Sequence, residues 1–142
     1  MTKLQKISLF ALRVSMGWMM FYAGITKVLN PEWTAAGYIG GAKNFIGFFN
    51  LFLQPNILPI VNLANEWGLT LIGVALILGI FVRWASLAGI ALMILYYLVI
   101  LDFPHPNPQS YIVDQHVIYI TALLAITAFK AGKAWGLENK FN

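Results

Sequence analysis

No cysteine occurs among the 142 residues of the chain. That excludes disulfides, thiolate metal sites, iron–sulfur clusters and dithiol exchange, so redox chemistry here would have to use a bound cofactor, a quinone or a partner chain. Charge is scarce too. Asp, Glu, Lys and Arg make up 10% of the sequence, against about 25% in soluble domains. Nine basic against five acidic residues leave a net charge of +4, but the basic residues are scattered and form no basic face, so nucleic acid is not an expected partner. No internal repeat, low-complexity stretch or linker is visible. One domain over residues 1–142 is the expectation.

What the chain does have is apolar length. It is 60% hydrophobic, with runs over about 7–29, 57–82, 84–101 and 112–130, each near the ~20 residues a helix needs to cross a bilayer. The fold class predicted is an all-α membrane protein, a four-transmembrane-helix bundle. Asn30-Pro31 closes the first run, the second is expected to start after Pro55 and Pro59, and the third carries no charge. The fourth follows the Pro104–Pro108 stretch, with Ser110 as a candidate N-cap. Lys3 and Lys6 before an apolar run look like the start of a signal peptide. The run is too long for one, and no small-residue cleavage site follows, so a retained first helix is expected.

Orientation follows from the basic residues. Lys3, Lys6, Arg83, Lys130, Lys133 and Lys140 fall on one side, Lys27 and Lys43 on the other. By the positive-inside rule both termini are cytoplasmic, in the cell (plasma) membrane. Small-residue pairs such as Ala11/Ser15, Ala85/Gly89 and Ala128/Gly132 fit close helix packing inside the bundle, with a homo-oligomer as the alternative use. The segment 33–53 is too aromatic for a plain loop: Phe45, Phe48, Phe49 and Phe52 recur at helical spacing. It predicts an amphipathic interfacial helix, either an anchor at headgroup level or a lid over a pocket.

The informative charges are crowded. Lys27, Glu66, Asp102, His105, Asp114 and His116 all map to one end of the apolar runs, and ionisable residues in a membrane are expensive unless paired or wet. Lys27 and Glu66 lie at similar depth and are expected to pair. Arg13 has no acid near its depth and is expected to snorkel to the opposite, inner surface. Asp114-Gln115-His116 share one helical turn, so not all three are expected to point inward. Asp102, His105, Asp114 and His116 have ligand chemistry but no metal-site spacing, and no metal is expected.

Three further patterns are present: Arg13-x-x-x-Gly17 followed by Gly24-x-x-Lys27; Glu66-x-Gly68 with Gly73, Gly79 and Arg83; and Tyr111-Ile112-Val113-Asp114-Gln115-His116-Val117-Ile118-Tyr119 with Gly136-Leu137-Glu138. In this order and spacing the chain resembles the DoxX family. The stretch Asn30-Pro31-Glu32-Trp33-Thr34 and the Asp114-x-His116-x-x-Tyr119 run are similar to its DoxD-type branch, the membrane subunit of thiosulfate:quinone oxidoreductase. The resemblance implies a four-helix membrane bundle and, for that branch, electron transfer from thiosulfate to quinone with tetrathionate as product, beside a second small subunit.

A quinone pocket needs rings to flank the head group and polar groups at its oxygens. Tyr22, Trp67, Tyr96, Tyr97 and Tyr119 are the candidate rings. Lys27, Glu66, Asp114 and His116 are the candidate catalytic groups: Lys27 for negative charge, Glu66 or His116 for protons. Glu66→Gln is thus expected to abolish turnover. Lys27 and Lys43, with Asp102 and His105 near them, are candidate substrate-binding residues for an anion. Quinone, as substrate, is the one cofactor-like molecule expected. The competing readings are a non-catalytic membrane subunit of a larger redox complex and a small lipid- or solute-binding protein; transport is disfavoured by the lack of an inverted repeat.

Overall fold

The computed structural model describes residues 1–141, and among them only helices and loops occur, with no strand. Helix α1 spans Lys3–Val28, opened by a reciprocal cap in which Thr2 and Gln5 exchange side chain-to-backbone hydrogen bonds. Two short helices follow, α2 (Ala36–Gly40) and α3 (Ile46–Phe52). Helix α4 (Leu58–Leu78) carries Pro59 in its first turn, where no backbone donor is missed, and ends at Gly79 with φ of +70°. Helix α5 spans Val82–Ile100 and α6 spans Gln115–Ala128. The chain closes with 3₁₀ turns at Ala131–Lys133 and Leu137–Lys140.

Three helices, α1, α4 and α5, are long and apolar enough to cross a membrane. The fourth expected span is shorter: α6 has 14 residues, or roughly 21 Å of rise against a hydrocarbon core of about 30 Å. Its N-terminus is set by Asp114, whose side chain caps the helix from an extended backbone, so residues 112–114 lie outside it. The segment 33–53 is two short helices in place of one. The break falls between Gly41 and Phe45, the latter in the left-handed region at φ 55°.

Between 28% and 33% of each candidate span is buried. The remaining faces carry large apolar side chains such as Trp18, Leu63, Leu71 and Trp84, a surface that fits lipid and not water. Helices α1 and α4 approach so closely that their backbones touch. A Cβ on Gly24 would lie 2.3 Å from Thr70 N, and one on Gly73 would lie 2.4 Å from Phe21 N. Gly17 and Gly24, seven residues apart on α1, and Gly73 on α4 all face this contact and are not among the small-residue pairs that the spacing singles out. Met16, Met20, Leu69, Leu76, Leu123 and Ile126 fill the centre of the bundle. A second cluster, around Ala35, Ile39, Phe49 and Val99, packs the α2–α3 segment onto one end.

Arg13 departs from expectation. It does not snorkel: it is fully buried, donates from Nη2 to the carbonyl of Ala134 at 3.2 Å, and lies 5.5 Å from the Phe10 ring. The turns after α6 fold back over it, a contact invisible in the local sequence.

Candidate functional site

The α2–α3 segment walls a cavity of about 260 Å³ at the end of the bundle opposite Arg13. Lys27 enters from the last turn of α1, Val61 and Asn65 from the first turns of α4, Tyr96 and Val99 from the end of α5, and His116 from the start of α6. Trp33, Tyr38, Phe49 and Phe52 complete it from the segment. The segment is tied down by polar contacts: Ala35 N donates to Asn62 Oδ1 at 2.8 Å, Tyr38 OH to the Tyr96 carbonyl at 2.9 Å, and Asn44 Nδ2 to the Leu101 carbonyl.

Asp114 divides its carboxylate between two tasks. Oδ1 accepts from the backbone N–H groups of His116 (2.9 Å) and Val117 (3.3 Å), capping α6. Oδ2 meets His116 Nδ1 at 2.8 Å. An imidazole that donates Nδ1–H to a carboxylate keeps Nε2 free, as acceptor when neutral and as donor when protonated. Both side chains are almost wholly inside, 2% and 12% exposed, while Gln115 between them is exposed. The helical turn does separate the three residues, as expected, with Asp114 and His116 turned inward and Gln115 outward. Tyr96 and Tyr119 each stand edge-on to His116 at 6.3 Å.

The expected Lys27–Glu66 ion pair is not formed. Lys27 Nζ donates to the Ala23 carbonyl at 2.9 Å and lies 5.4 Å from the Trp33 ring, and no described carboxylate is within 4.0 Å of it. The reason is the close approach of α1 and α4. At this level α4 presents its backbone to Gly24, with Glu66 O 2.9 Å from where a Cβ would stand and engaged by Thr70 Oγ1.

Of the other candidates, Glu66 does not line the cavity, and Trp67 and Tyr22 lie on outward faces, 45% and 59% exposed. Tyr97 OH donates to the Ile112 carbonyl, away from the cavity. Lys43 and Asp102 pair at 3.3 Å on the surface and, with His105, line a separate open hollow of about 370 Å³. Lys27, Tyr96 and His116 are therefore brought together, with Asp114 and Tyr119 behind His116, and the rest are not.

Sequence reasoning missed Asn65 and Tyr38. Asn65 is buried, donates to the Val61 carbonyl at 2.8 Å and accepts from Tyr96 OH. An uncharged amide inside an apolar helix was the available signal, overshadowed by Glu66 beside it. Tyr38 stacks edge-on against Tyr96 at 5.8 Å. Burial, with the Asp114 carboxylate adding to it, pushes the Tyr38 phenol up to about 12.

Hydrogen-bond capacity can be counted around the wall. Thr34, Tyr38, Asn65 and Tyr96 all spend their polar atoms on one another, on Asn62 or on backbone. Capacity left over belongs to Lys27 Nζ, which has used one of three donors, to Asn65 Nδ2, which has used one of two, to Trp33 Nε1 and to His116 Nε2.

Long helices with outward apolar faces, gathered round a polar-tipped cavity at one end, define an integral membrane protein. The DoxX family model matches residues 8–101, well over half of the chain, and the chain belongs to the DoxX family. That match takes in Lys27, Tyr38, Asn65 and Tyr96 and stops before Asp114 and His116. No curated protein and no solved structure matches the chain.

Proposed function

We propose that this DoxX protein holds the head group of a membrane quinone in the cavity and, in the manner of the DoxD-type branch, passes to it electrons taken from thiosulfate. The observation that carries the reading is the pattern of unspent hydrogen bonds. An apolar, aromatic cavity offers two donors from one side and an imidazole nitrogen from α6, which suits a flat ring bearing acceptor oxygens. Its volume of about 260 Å³ falls just below the range of drug-sized ligand pockets, about 300–1,000 Å³. It therefore takes a ring and leaves an isoprenoid tail in lipid.

The reaction balances as two thiosulfate anions, one quinone and two protons giving one tetrathionate and one quinol. His116, its Nδ1–H held by Asp114, is the group that hands a proton from Nε2 to a ring oxygen. Lys27 stabilises the negative charge that builds on the reduced ring. In this reading α6 completes a four-span bundle, both termini are cytoplasmic, the cavity opens on the outer side of the plasma membrane, and a second small subunit assists with the sulfur donor.

The test is titration of the purified protein in detergent with a short-chain quinone, read by quenching of Trp33, with Trp33→Phe as the blank. Saturable quenching in the wild type that weakens at least tenfold in His116→Phe is the expected result. Thiosulfate-dependent quinol formation, lost in the same variant, is expected in membranes. A quinone that never saturates the protein defeats the reading, and binding without thiosulfate oxidation reduces it to a quinone-binding membrane subunit.

A further inference from the structure

Among the described residues, Lys27 is a cation without a counter-ion. Its Nζ is half-buried at the cavity wall, with one N–H on the Ala23 carbonyl at 2.9 Å and the face of Trp33 at 5.4 Å. No carboxylate lines the cavity. Glu32, beside Trp33, is exposed and makes no ion pair with Lys27, and Asp114, on the His116 side, has both oxygens occupied, Oδ1 by two backbone N–H groups and Oδ2 by the imidazole. Glu66, the partner the sequence suggested, makes no ion pair with it, and Lys43 has taken Asp102.

Removing an ammonium from water is costly unless a negative charge or several acceptors replace the lost hydration. A carbonyl at 2.9 Å and one aromatic face replace part of it. Phe49, Phe52, Val61 and Leu95 make the surroundings apolar, so an opposite charge placed there acts through a lower dielectric than at the surface. The other polar capacity left on the wall, at Trp33 Nε1, His116 Nε2 and the second N–H of Asn65 Nδ2, carries no negative charge. The ligand is the remaining source of one.

We infer that the cavity selects a ring ligand in an anionic form, an ionised hydroxyquinone or phenolate-type oxygen placed at Lys27 Nζ, over the neutral ring of the same shape. The inference rests on the ring-binding reading above and deepens it: the first concerns shape and hydrogen bonding, the second charge. Trp33 flanks both the ammonium and the ligand, so the ring lies beside the indole while its charged oxygen reaches the cation.

The experiment compares two naphthoquinones of nearly equal size on the full chain in detergent. 2-Hydroxy-1,4-naphthoquinone is ionised at neutral pH, and 2-methyl-1,4-naphthoquinone is neutral. Each is titrated against wild type, Lys27→Met and Lys27→Arg, and each ligand's affinity is expressed as the ratio of wild type to variant, which cancels partition into micelles. Lys27→Met is expected to weaken the anion at least tenfold, about 1.4 kcal/mol, and the neutral ring less than threefold; Lys27→Arg is expected to keep the anion's affinity. Equal losses for the two rings, or an anion unaffected by Lys27→Met, overturn the charge inference while the ring pocket stands. Failure of both rings to saturate the wild type overturns the ring-binding reading as well.

Discussion

Arg13 and Ala134 stand 121 residues apart in sequence and are joined by a hydrogen bond of 3.2 Å from guanidinium to carbonyl. Around that bond the backbone has been cleared of side chains. A Cβ on Gly79 would lie 1.6 Å from Arg13 Nη1, and one on Gly136 would lie 2.5 Å from the same atom. Glu138 N donates to the Gly79 carbonyl at 2.8 Å, so the tail is tied to the end of α4 as well as to α1. A charged group fully enclosed in this way fixes the register of three segments.

Gly79→Ala is therefore expected to be among the most damaging single substitutions. The new methyl meets Nη1 and the Gly136 backbone, and φ of +70° is strained for alanine. A loss of about 2–4 kcal/mol is expected, the range for a core clash added to backbone strain. Gly37→Ala, where a Cβ meets nothing, is the control and should change stability by no more than about 1 kcal/mol. Thermal or denaturant unfolding in detergent checks both; equal stability of the two variants refutes the account of Arg13.

How much of this was legible in sequence depends on the range of the contact. Apolar run length located α1, α4 and α5 because a spanning helix is a local property of composition. Of the six ionisable residues crowded at one end, Lys27 and His116 line the cavity and Asp114 stands behind His116, whereas Glu66, Asp102 and His105 do not line it. Pairing was not legible. Lys27 and Glu66 share a depth, yet partnership depends on rotation about the helix axis, which the backbone contact at Gly24 decides. Arg13 was misplaced because its neighbours, Ala134 and Gly136, come from a tail with no periodic pattern. Asn65 and Tyr38 carry no formal charge, so a search for buried charge passed over them.

The divided carboxylate of Asp114 allows its two duties to be separated. Asn at this position can still cap α6 through its side-chain oxygen, so Asp114→Asn should keep helix content and cost under about 1 kcal/mol. It removes the charge that holds His116 Nδ1–H, so quinone affinity should fall about fivefold or more and the imidazole proton assignment should change in nitrogen-15 spectra. Asp114→Ala loses the cap too and should cost a further ~1 kcal/mol. Identical His116 spectra in wild type and Asp114→Asn would show that the ring is held by something else.

Tyr38 gives a pH dependence. Its phenol is raised from the ordinary value of 10.0 to about 12, so the folded protein keeps the proton where the unfolded chain has lost it. A raised acid pKa means that its contribution to stability is complete below pH 10, and it is lost as pH climbs from 10 to about 12. Alkaline titration by phenolate absorbance should show a late component that disappears in Tyr38→Phe. The variant should also lose less stability than wild type across that window. Tyr38 is still 42% exposed, so a Tyr38 signal that titrates with the other tyrosines refutes this account of its phenol.

Adjacent residues of α4 make the sharpest test of where the site lies. Charge alone favours Glu66, and on that ground Glu66→Gln abolishes turnover. The geometry favours Asn65, which lines the cavity and accepts from Tyr96 OH while Glu66 stands outside it. Asn65→Leu leaves the Tyr96 hydroxyl without its partner in a buried position, a penalty of about 1–3 kcal/mol, and should loosen the wall against which the ring packs. Quinone affinity is expected to drop at least fivefold in Asn65→Leu and to stay within twofold of wild type in Glu66→Gln, both measured by Trp33 quenching. The reverse order would move the site out of this cavity to the face of α4 that carries Glu66, and with it the roles given to Lys27 and His116.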